Sequence, residues 1–122
     1  MATAVTSYTY PTAIGTATIA NAASLSDAVD LQGCRLTGLR FPAAWTAASV
    51  TFQVSEDDVT YGDLYNDSGE VTYSTAAASR CISLLAEDFL SWRYVKVRSG
   101  TSGAAVNQGA DRTLVLVGSA LA

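Results

Sequence analysis

The chain contains no histidine and only two cysteines, Cys34 and Cys81, among its 122 residues. Zinc sites of the usual kind need several Cys or His ligands, and conventional serine and cysteine hydrolases need a histidine base. Because the cysteines form no Cys-x-x-Cys pair, we expect two free, small, buried thiols, with a Cys34–Cys81 disulfide as the alternative. These absences predict a protein that is not an enzyme and that uses no metal or other cofactor.

Charged residues are also scarce, since they make up 15% of the chain, and the net charge is −4. The few bases do not form the stripe that nucleic-acid binding needs, so nucleic acid is not an expected partner. No apolar run approaches the length of a membrane span, and the first residues lack the basic and apolar regions of a signal peptide. We therefore expect synthesis in the cytoplasm, no membrane partner, and a surface partly covered by neighbouring molecules.

The sequence does contain a repeated alternation of apolar and polar side chains, which is typical of half-buried strands. The run Val50–Val54 is the clearest case, and an acidic turn followed by an extended run over Val59–Tyr65 predicts a hairpin. Similar short runs recur with Gly, Ser and Asp turns between them. The pattern predicts an all-β fold, an antiparallel β-sandwich over residues 16–122, preceded by an extended N-terminal arm or first edge strand over residues 1–15.

Two runs predict departures from a regular, one-sided strand. Leu36 and Leu39 would not share a face of a regular strand, so Gly38 is expected to mark a β-bulge. The continuous apolar run within residues 112–117 predicts a central strand that is buried on both faces.

The strand around residues 92–98 carries three of the few bases, Arg93, Lys96 and Arg98. The two-residue period places Val95 and Val97 towards the core and places Lys96 and Arg98 towards solvent. Three neighbouring bases of this kind are expected to form a solvated strand face or an interface patch.

Acidic side chains cluster between residues 56 and 70, and a second pair, Glu87 and Asp88, follows later. The cluster has the oxygen ligands that calcium prefers but not the EF-hand spacing, so two solvated turns are the better interpretation. Glycoside hydrolysis needs two carboxylates that face each other across a cleft, whereas adjacent residues point to different faces. Glu87 and Asp88 are therefore expected to begin a helical turn, where acids are favoured.

Several aromatic residues are candidates for a sugar-stacking platform, with ordinary packing in strands as the favoured alternative. Exposed Tyr, Trp and Arg side chains are also enriched at protein interfaces, which is a third interpretation. The residues in question are Tyr61, Tyr65, Tyr73, Trp45, Trp92 and Tyr94.

Two segments resemble discoidin-like jelly-roll modules. The segment Ser49–Tyr65 resembles their strand–turn–strand, in which a Val-Ser-x-Asp-Gly-x-x-Tyr/Trp turn recurs, and here Asp58 stands where glycine is usual. The segment Trp92–Val97 resembles their Arg-Tyr-Val strand. The resemblance implies that the β-sandwich is jelly-roll-like.

Most of the chain beyond the arm resembles small proteins encoded among the head genes of tailed bacteriophages and prophages. The resemblance implies a virion structural protein, a capsid decoration (cement) protein that binds the major capsid protein on the outer capsid surface. Such a protein is made in the host bacterial cytoplasm, associates as a homotrimer, and stabilises the assembled head by bridging capsomers. The matching segments are Thr18–Ser26, Phe41–Ser49, Lys96–Thr101 and Val106–Thr113.

Within this interpretation, we expect capsid or subunit contacts from the arm and from the basic strand face. An extended arm adds main-chain hydrogen bonds when it lies across a neighbouring subunit. The alternative function is a carbohydrate-binding β-sandwich module of a phage head fibre or tail fibre, in which Trp45 or Trp92 contacts a surface glycan. The expected capsid or subunit contacts are Tyr8, Tyr10, Arg93, Lys96 and Arg98.

Overall fold

A computed structural model describes residues 11–120 of the chain. Within this range two four-stranded antiparallel sheets pack on a common core, which confirms the predicted all-β, antiparallel β-sandwich. The one helix of residues 11–120 is a 3₁₀ turn at Ala86–Asp88, and no helix of this part of the chain could span a membrane. The 3₁₀ turn lies where the sequence predicted a helical turn.

The two sheets are assembled from strands that are distant in sequence. The first sheet has the order β1-β10-β3-β8 and the second has the order β2-β9-β4-β5, while β6 and β7 form a separate small hairpin. In chain order the strands are β1 (Thr12–Ile19), β2 (Val29–Asp30), β3 (Cys34–Arg40), β4 (Val50–Ser55), β5 (Gly62–Asp63), β6 (Tyr65–Asn66), β7 (Gly69–Glu70), β8 (Cys81–Ser83), β9 (Tyr94–Ser99) and β10 (Arg112–Ala120).

The core lies between the facing surfaces of the sheets. Val95 and Val97 of β9 are fully buried there, as predicted. Phe52 of β4 is also fully buried, and its ring meets the ring of Phe89 edge to face at a centroid distance of 5.0 Å. Aromatic pairs of this geometry add to the stabilisation that burial alone supplies.

The bulge predicted at Gly38 is present. Val117 pairs with Gly38 and Gly118 pairs with Leu36, so Thr37 is the extra residue on β3. The bulge restores the alternation after one additional residue, and both Leu36 and Leu39 consequently reach the core.

The strand β10 is central in its sheet, as predicted, but it is not buried on both faces. Leu114 and Leu116 are fully buried, whereas Val115 and Val117 on the opposite side are half-buried. The prediction failed because β-branched residues fit the wet face of a strand as well as the dry one, and a run of apolar letters does not separate the two cases.

The hairpin predicted from Val50–Val54 and Val59–Tyr65 is present, but its second strand begins further along the sequence than expected. Its second strand, β5, begins at Gly62, and Val59 is 82% exposed within the preceding turn. Towards the N-terminus, residues 12–15 belong to β1, an edge strand of the first sheet. Residues 1–10 of the predicted arm lie outside the described residues.

Candidate functional site

A pocket of about 320 Å³ lies beside the edge strand β5. Three aromatic side chains line it, namely Tyr61, Tyr65 and Trp92, and the buried side chains of Val54 and Leu64 contribute an apolar floor. The structure therefore brings together three of the six aromatic residues that the sequence offered as a platform. Tyr61 and Tyr65 lie on the segment from β4 to β6, and Trp92 lies in the loop before β9.

Polar groups of both kinds also border the pocket. Glu56, Thr60 and Asp63 line it, and their side chains come from the same segment as two of the aromatic rings. Within residues 11–120, the Glu56 carboxylate, the Tyr65 hydroxyl and the Trp92 indole N–H take part in no hydrogen bond to another protein group. The hydroxyl and the indole N–H are donors, and the hydroxyl and carboxylate oxygens are acceptors, with no protein partner among the described residues.

The loop that carries Glu56 and Thr60 is held by internal hydrogen bonds. Asp57 Oδ1 accepts hydrogen bonds from the Val59 N–H at 2.9 Å and the Thr60 N–H at 3.0 Å. These two bonds, with a third from the Ser55 hydroxyl, hold the pKa of Asp57 below its ordinary value. The pocket rim is therefore a built turn and not a loose loop.

Asp58, the residue that stands where the resembling modules have glycine, adopts a φ of 61°. This left-handed region favours glycine, and aspartate is one of the few other residues that enter it readily. The Asp58 carboxylate accepts a hydrogen bond from the Tyr61 hydroxyl. Burial, and secondly this contact, raise the pKa of Tyr61, so its hydroxyl stays protonated and continues to donate.

The ring of Tyr61 has a contact of its own, in addition to the hydrogen bond of its hydroxyl. The Lys96 ammonium lies 4.2 Å from the centroid of the Tyr61 ring, which is the geometry of a cation–π contact. Lys96 lies on the outer face of the second sheet, as predicted, with its charge directed to an aromatic ring at the edge of the pocket.

Arg98 contradicts the prediction that it faces solvent. It lies on the same sheet face as Lys96, but its side chain is only 8% exposed. Its guanidinium donates to Asp63 at 2.7 Å and to Glu70 at 2.8 Å, and its Nε donates to Thr51 at 2.9 Å. The segment from β5 to β7 folds over this part of the sheet, and the alternation rule contains no information about such a cover.

Arg93 is exposed and paired. It makes two hydrogen bonds of 3.1 Å to the carboxylate of Asp30, and its side chain is 58% exposed. The Arg93 guanidinium, together with the N–H of Gln32, holds the pKa of Asp30 below its ordinary value. Two of the predicted contact residues, Tyr8 and Tyr10, lie outside the described residues. Of the other three, the structure places Arg93 and Lys96 on the surface and Arg98 beneath it.

Trp45 lies at the opposite end of the sandwich from Trp92. In the β4–β9 pair, Val50 lies opposite Ser99 and Ser55 lies opposite Tyr94, so the turns that carry the two tryptophans adjoin opposite ends. The Trp45 indole donates to the carbonyl oxygen of Ala48 at 3.2 Å and packs edge to face on Phe41. Trp45 is therefore structural, and of the two predicted glycan contacts only Trp92 lines the pocket.

Beside Trp45 a buried glutamine joins several loops. Gln108 is 1% exposed, and its amide donates to the Thr46 carbonyl oxygen at 3.0 Å and to the Ser99 hydroxyl at 2.7 Å. Its Oε1 accepts from the Thr46 N–H at 2.8 Å and from Arg112 Nε at 3.2 Å. We call this cluster of Trp45, Thr46, Ser99, Gln108 and Arg112 the closed end.

The pocket occupies the other end of the second sheet. We call five of its lining side chains the open end, and the two names are used in this sense below. The open end consists of Glu56, Tyr61, Asp63, Tyr65 and Trp92.

The remaining candidate residues are separated by the fold. Cys34 and Cys81 are free thiols, but Cys34 is half-buried and Cys81 is exposed, so the predicted burial is wrong for both. Within residues 11–120, no group of three or more metal-ligating side chains is close enough to hold an ion. Glu87 and Asp88 lie in the 3₁₀ turn. That the chain is not an enzyme stays a prediction.

The chain matches no known family model and no curated protein. Among solved structures, its fold is similar to the C-terminal domain of a chitobiase from Bacteroides fragilis, with a TM-score of 0.46 and 13% sequence identity. The match covers 80% of this chain and 64% of that chain. At this degree of similarity the neighbour carries no argument about the function of this chain.

Sequence reasoning missed two polar clusters, one around Gln108 and one around Arg98. Gln108 follows another amide, Asn107, in a loop, and nothing local marks it as the buried one of the two. Arg98 and its partners Asp63 and Glu70 are 28 to 35 residues apart. The one available signal was their opposite charge, and charge alone does not specify which of many pairs will meet.

Proposed function

We propose that this chain is a bacteriophage virion structural protein, a capsid decoration (cement) protein. It binds the major capsid protein on the outer surface of the assembled head, associates as a homotrimer, and bridges capsomers. Because it binds the assembled shell and not the free subunits, its binding free energy stabilises the shell by mass action.

One observation carries this proposal: the segments that resemble phage head proteins meet in space at the closed end. The N–H of Ala22 donates to the Gln108 carbonyl oxygen at 2.9 Å, and the N–H of Ser99 donates to the Ser24 carbonyl oxygen at 2.7 Å. The Gly100 N–H donates to the Ser49 carbonyl oxygen at 2.7 Å. Four stretches scattered along the chain thus form one connected structural unit, which supports reading their resemblance together and not piece by piece.

The distribution of exposed apolar side chains supports a surface that is covered in use. Four large apolar side chains of residues 11–120 are exposed, namely Val59, Tyr65, Leu85 and Leu90. Tyr65 lines the pocket, and the hydrogen bond from Asn66 to Asp88 joins its hairpin to the 3₁₀ turn that Leu85 and Leu90 flank. Exposed apolar side chains that lie on neighbouring segments mark interaction sites more often than isolated ones do.

Arg93 and Lys96 remain the proposed basic contacts with the shell. Both lie at the surface, although each is already engaged within the chain, Arg93 with Asp30 and Lys96 with the Tyr61 ring. Arg98 has no part in the proposal, because its guanidinium is buried in two ion pairs.

The test is the copy number of this protein in purified virions of the phage or prophage that encodes it, relative to the major capsid protein. Quantitative mass spectrometry measures this ratio directly. A lattice-covering cement protein gives a ratio near one or a simple fraction close to it. Absence from the particle would overturn the assignment.

A second candidate function is a carbohydrate-binding module of a phage head fibre or tail fibre. The pocket at the open end favours it, because aromatic and hydrogen-bonding side chains meet there in one concave site. The same experiment separates the two candidates, since a fibre or tail protein is present in only a handful of copies per particle.

A further inference from the structure

We infer that the pocket at the open end binds one uncharged hexopyranose unit of a glycan, with the sugar ring against Trp92. The inference rests on the second proposed function, glycan binding, and adds to it a site, a ligand class and a role for each side chain.

The shape and the aromatic content of the pocket fit a single sugar ring. Its volume of about 320 Å³ is at the lower end of the range for small-molecule sites, which suits a monosaccharide better than a larger cofactor. The C–H groups on one face of a pyranose are apolar and weakly positive, so they pack on the electron-rich face of an aromatic ring. Tyr61, Tyr65 and Trp92 supply three such rings in one site.

The polar groups fit the hydroxyl groups at the edge of the sugar. A hydroxyl both donates and accepts, so a sugar site needs both kinds of partner. Glu56 and Asp63 are acceptors, whereas the Trp92 indole N–H is a donor, and all three side chains line the pocket. At the closed end the corresponding groups of Trp45 and Gln108 are already used within the protein.

Arg98 acts as a positioning residue for Asp63. Its Nη1 donates to Asp63 Oδ1 at 2.7 Å, while Asp63 Oδ2 accepts no hydrogen bond from residues 11–120. A second pair to Glu70, at 2.8 Å, fixes the guanidinium itself. One carboxylate oxygen is therefore held and the other is left to accept from a hydroxyl of the ligand.

The charge of the site determines which sugars it accepts. The carboxylates of Glu56 and Asp63 both line the pocket, and the nearby Lys96 ammonium lies over the Tyr61 ring. An anionic sugar would bring a third carboxylate beside the first two, and the electrostatic repulsion between them would oppose binding. The ligand class is therefore the uncharged hexoses and their N-acetylated forms.

The experiment is saturation-transfer NMR on the full chain with the methyl glycosides of glucose, galactose, mannose and N-acetylglucosamine. N-acetylneuraminic acid is the anionic comparison, and N-acetyl-arginine amide represents an inserted protein side chain. At typical efficiencies per atom, a single sugar of about twelve heavy atoms binds with a Kd of about 1 mM. We expect at least one methyl glycoside to bind in this range, and we expect N-acetylneuraminic acid not to bind.

The variants assign binding to the pocket. Trp92→Ala is expected to weaken affinity by about tenfold or more, and Trp92→Phe, which keeps a ring, by less. Asp63→Asn is expected to weaken it by about threefold to tenfold. Leu85→Ala is the matched control at an exposed apolar position outside the pocket lining, and it should leave affinity unchanged. Circular dichroism of each variant checks that it is folded.

The outcomes separate this inference from the proposed function. A glycoside that binds folded Trp92→Ala and Trp92→Phe as tightly as the natural chain would leave glycan binding standing and overturn the site. Binding of no glycoside at all would overturn both. Binding of N-acetyl-arginine amide in place of the sugars, lost in Trp92→Ala, would instead make the pocket a docking site for a protein side chain.

Discussion

The two tryptophans show how differently the two ends of this sandwich are built. At the closed end Trp45 donates its indole N–H to Ala48 and packs on Phe41, and Gln108 beside it has all its polar atoms engaged. At the open end Trp92 borders a pocket, and its indole N–H has no protein acceptor in residues 11–120. Both tryptophans are partly buried against the core, so the hydrogen bonding of the indole N–H groups, and not the burial of the rings, distinguishes the two ends.

The difference shows at which end the polar groups are hydrogen-bonded within the protein and at which end some of them have no partner among the described residues. Buried polar groups in folded proteins are almost always hydrogen-bonded, and the closed end follows that rule. Apolar side chains exposed around a polar pocket add nothing to folding, since they remain in contact with water. The hydrogen-bonded groups of the closed end are therefore expected to contribute to stability, and the open end is the surface that we propose for recognition.

The largest effect is expected from Gly100→Ala at the closed end. Gly100 has a φ of +90°, and an added Cβ would lie 2.5 Å from the Ala104 carbonyl oxygen and 2.7 Å from the Val106 nitrogen. Backbone strain and overlap with fixed main-chain atoms should lower the free energy of unfolding by about 4 kcal/mol. Gly103→Ala is the matched control, because nothing lies within 4 Å of its Cβ position. Equal urea midpoints for the two variants would contradict the account.

A somewhat smaller effect is expected from Arg98→Met. Comparing it with Arg93→Met compares a buried arginine with an exposed one. Removing the guanidinium leaves Asp63 and Glu70 without their ion-pair partner, at a cost of about 3 kcal/mol. Arg93→Met removes an exposed pair between one arginine and one aspartate and should change stability only slightly. Chemical denaturation of both variants measures the difference. A loss for Arg93→Met as large as that for Arg98→Met would show that burial does not distinguish the pairs.

Gln108→Ala is expected to cost about 2 kcal/mol, because the Thr46 N–H and the Ser99 hydroxyl then lose their partner in a buried site. Asn107→Ala, at the exposed neighbouring position, is the control. Calorimetric unfolding of the two proteins makes the comparison. A Gln108→Ala variant as stable as Asn107→Ala would mean that the closed end does not carry stability in the way described.

The smallest effect concerns pH at the rim of the open end. The pKa of Asp57 lies below its ordinary value of 3.8, chiefly because two backbone N–H groups donate to its carboxylate. A lowered folded-state pKa contributes stability that is present above pH 3.8 and is lost as the pH falls through the folded-state pKa. The thermal midpoint should therefore fall in this acidic range, and Asp57→Asn should reduce that dependence. An unchanged dependence in the variant would assign the acid sensitivity to other groups, of which Asp30 is the first candidate.

The sequence was sufficient for the features that depend on local periodicity. The alternation of Val95 and Val97 identified the core face of β9, and the spacing of Leu36 and Leu39 located the bulge. It was not sufficient for the burial of Arg98, because a cover by the β5–β7 segment is a long-range event. Nor did it separate Trp45 from Trp92, since both lie in turns and only the three-dimensional neighbours distinguish a satisfied indole from an available one.

The most direct test of the contrast between the two ends is a ¹⁵N–¹H spectrum of the two indole groups, recorded while the methyl glycosides are added. Trp92→Phe removes one of the two indole signals and so assigns them both. The account predicts that the Trp92 signal exchanges quickly with water and shifts as sugar is added, while the Trp45 signal, protected by its bond to Ala48, does neither. A shift of the Trp45 signal with an unmoved Trp92 signal would contradict the claim that the open end is the recognition surface.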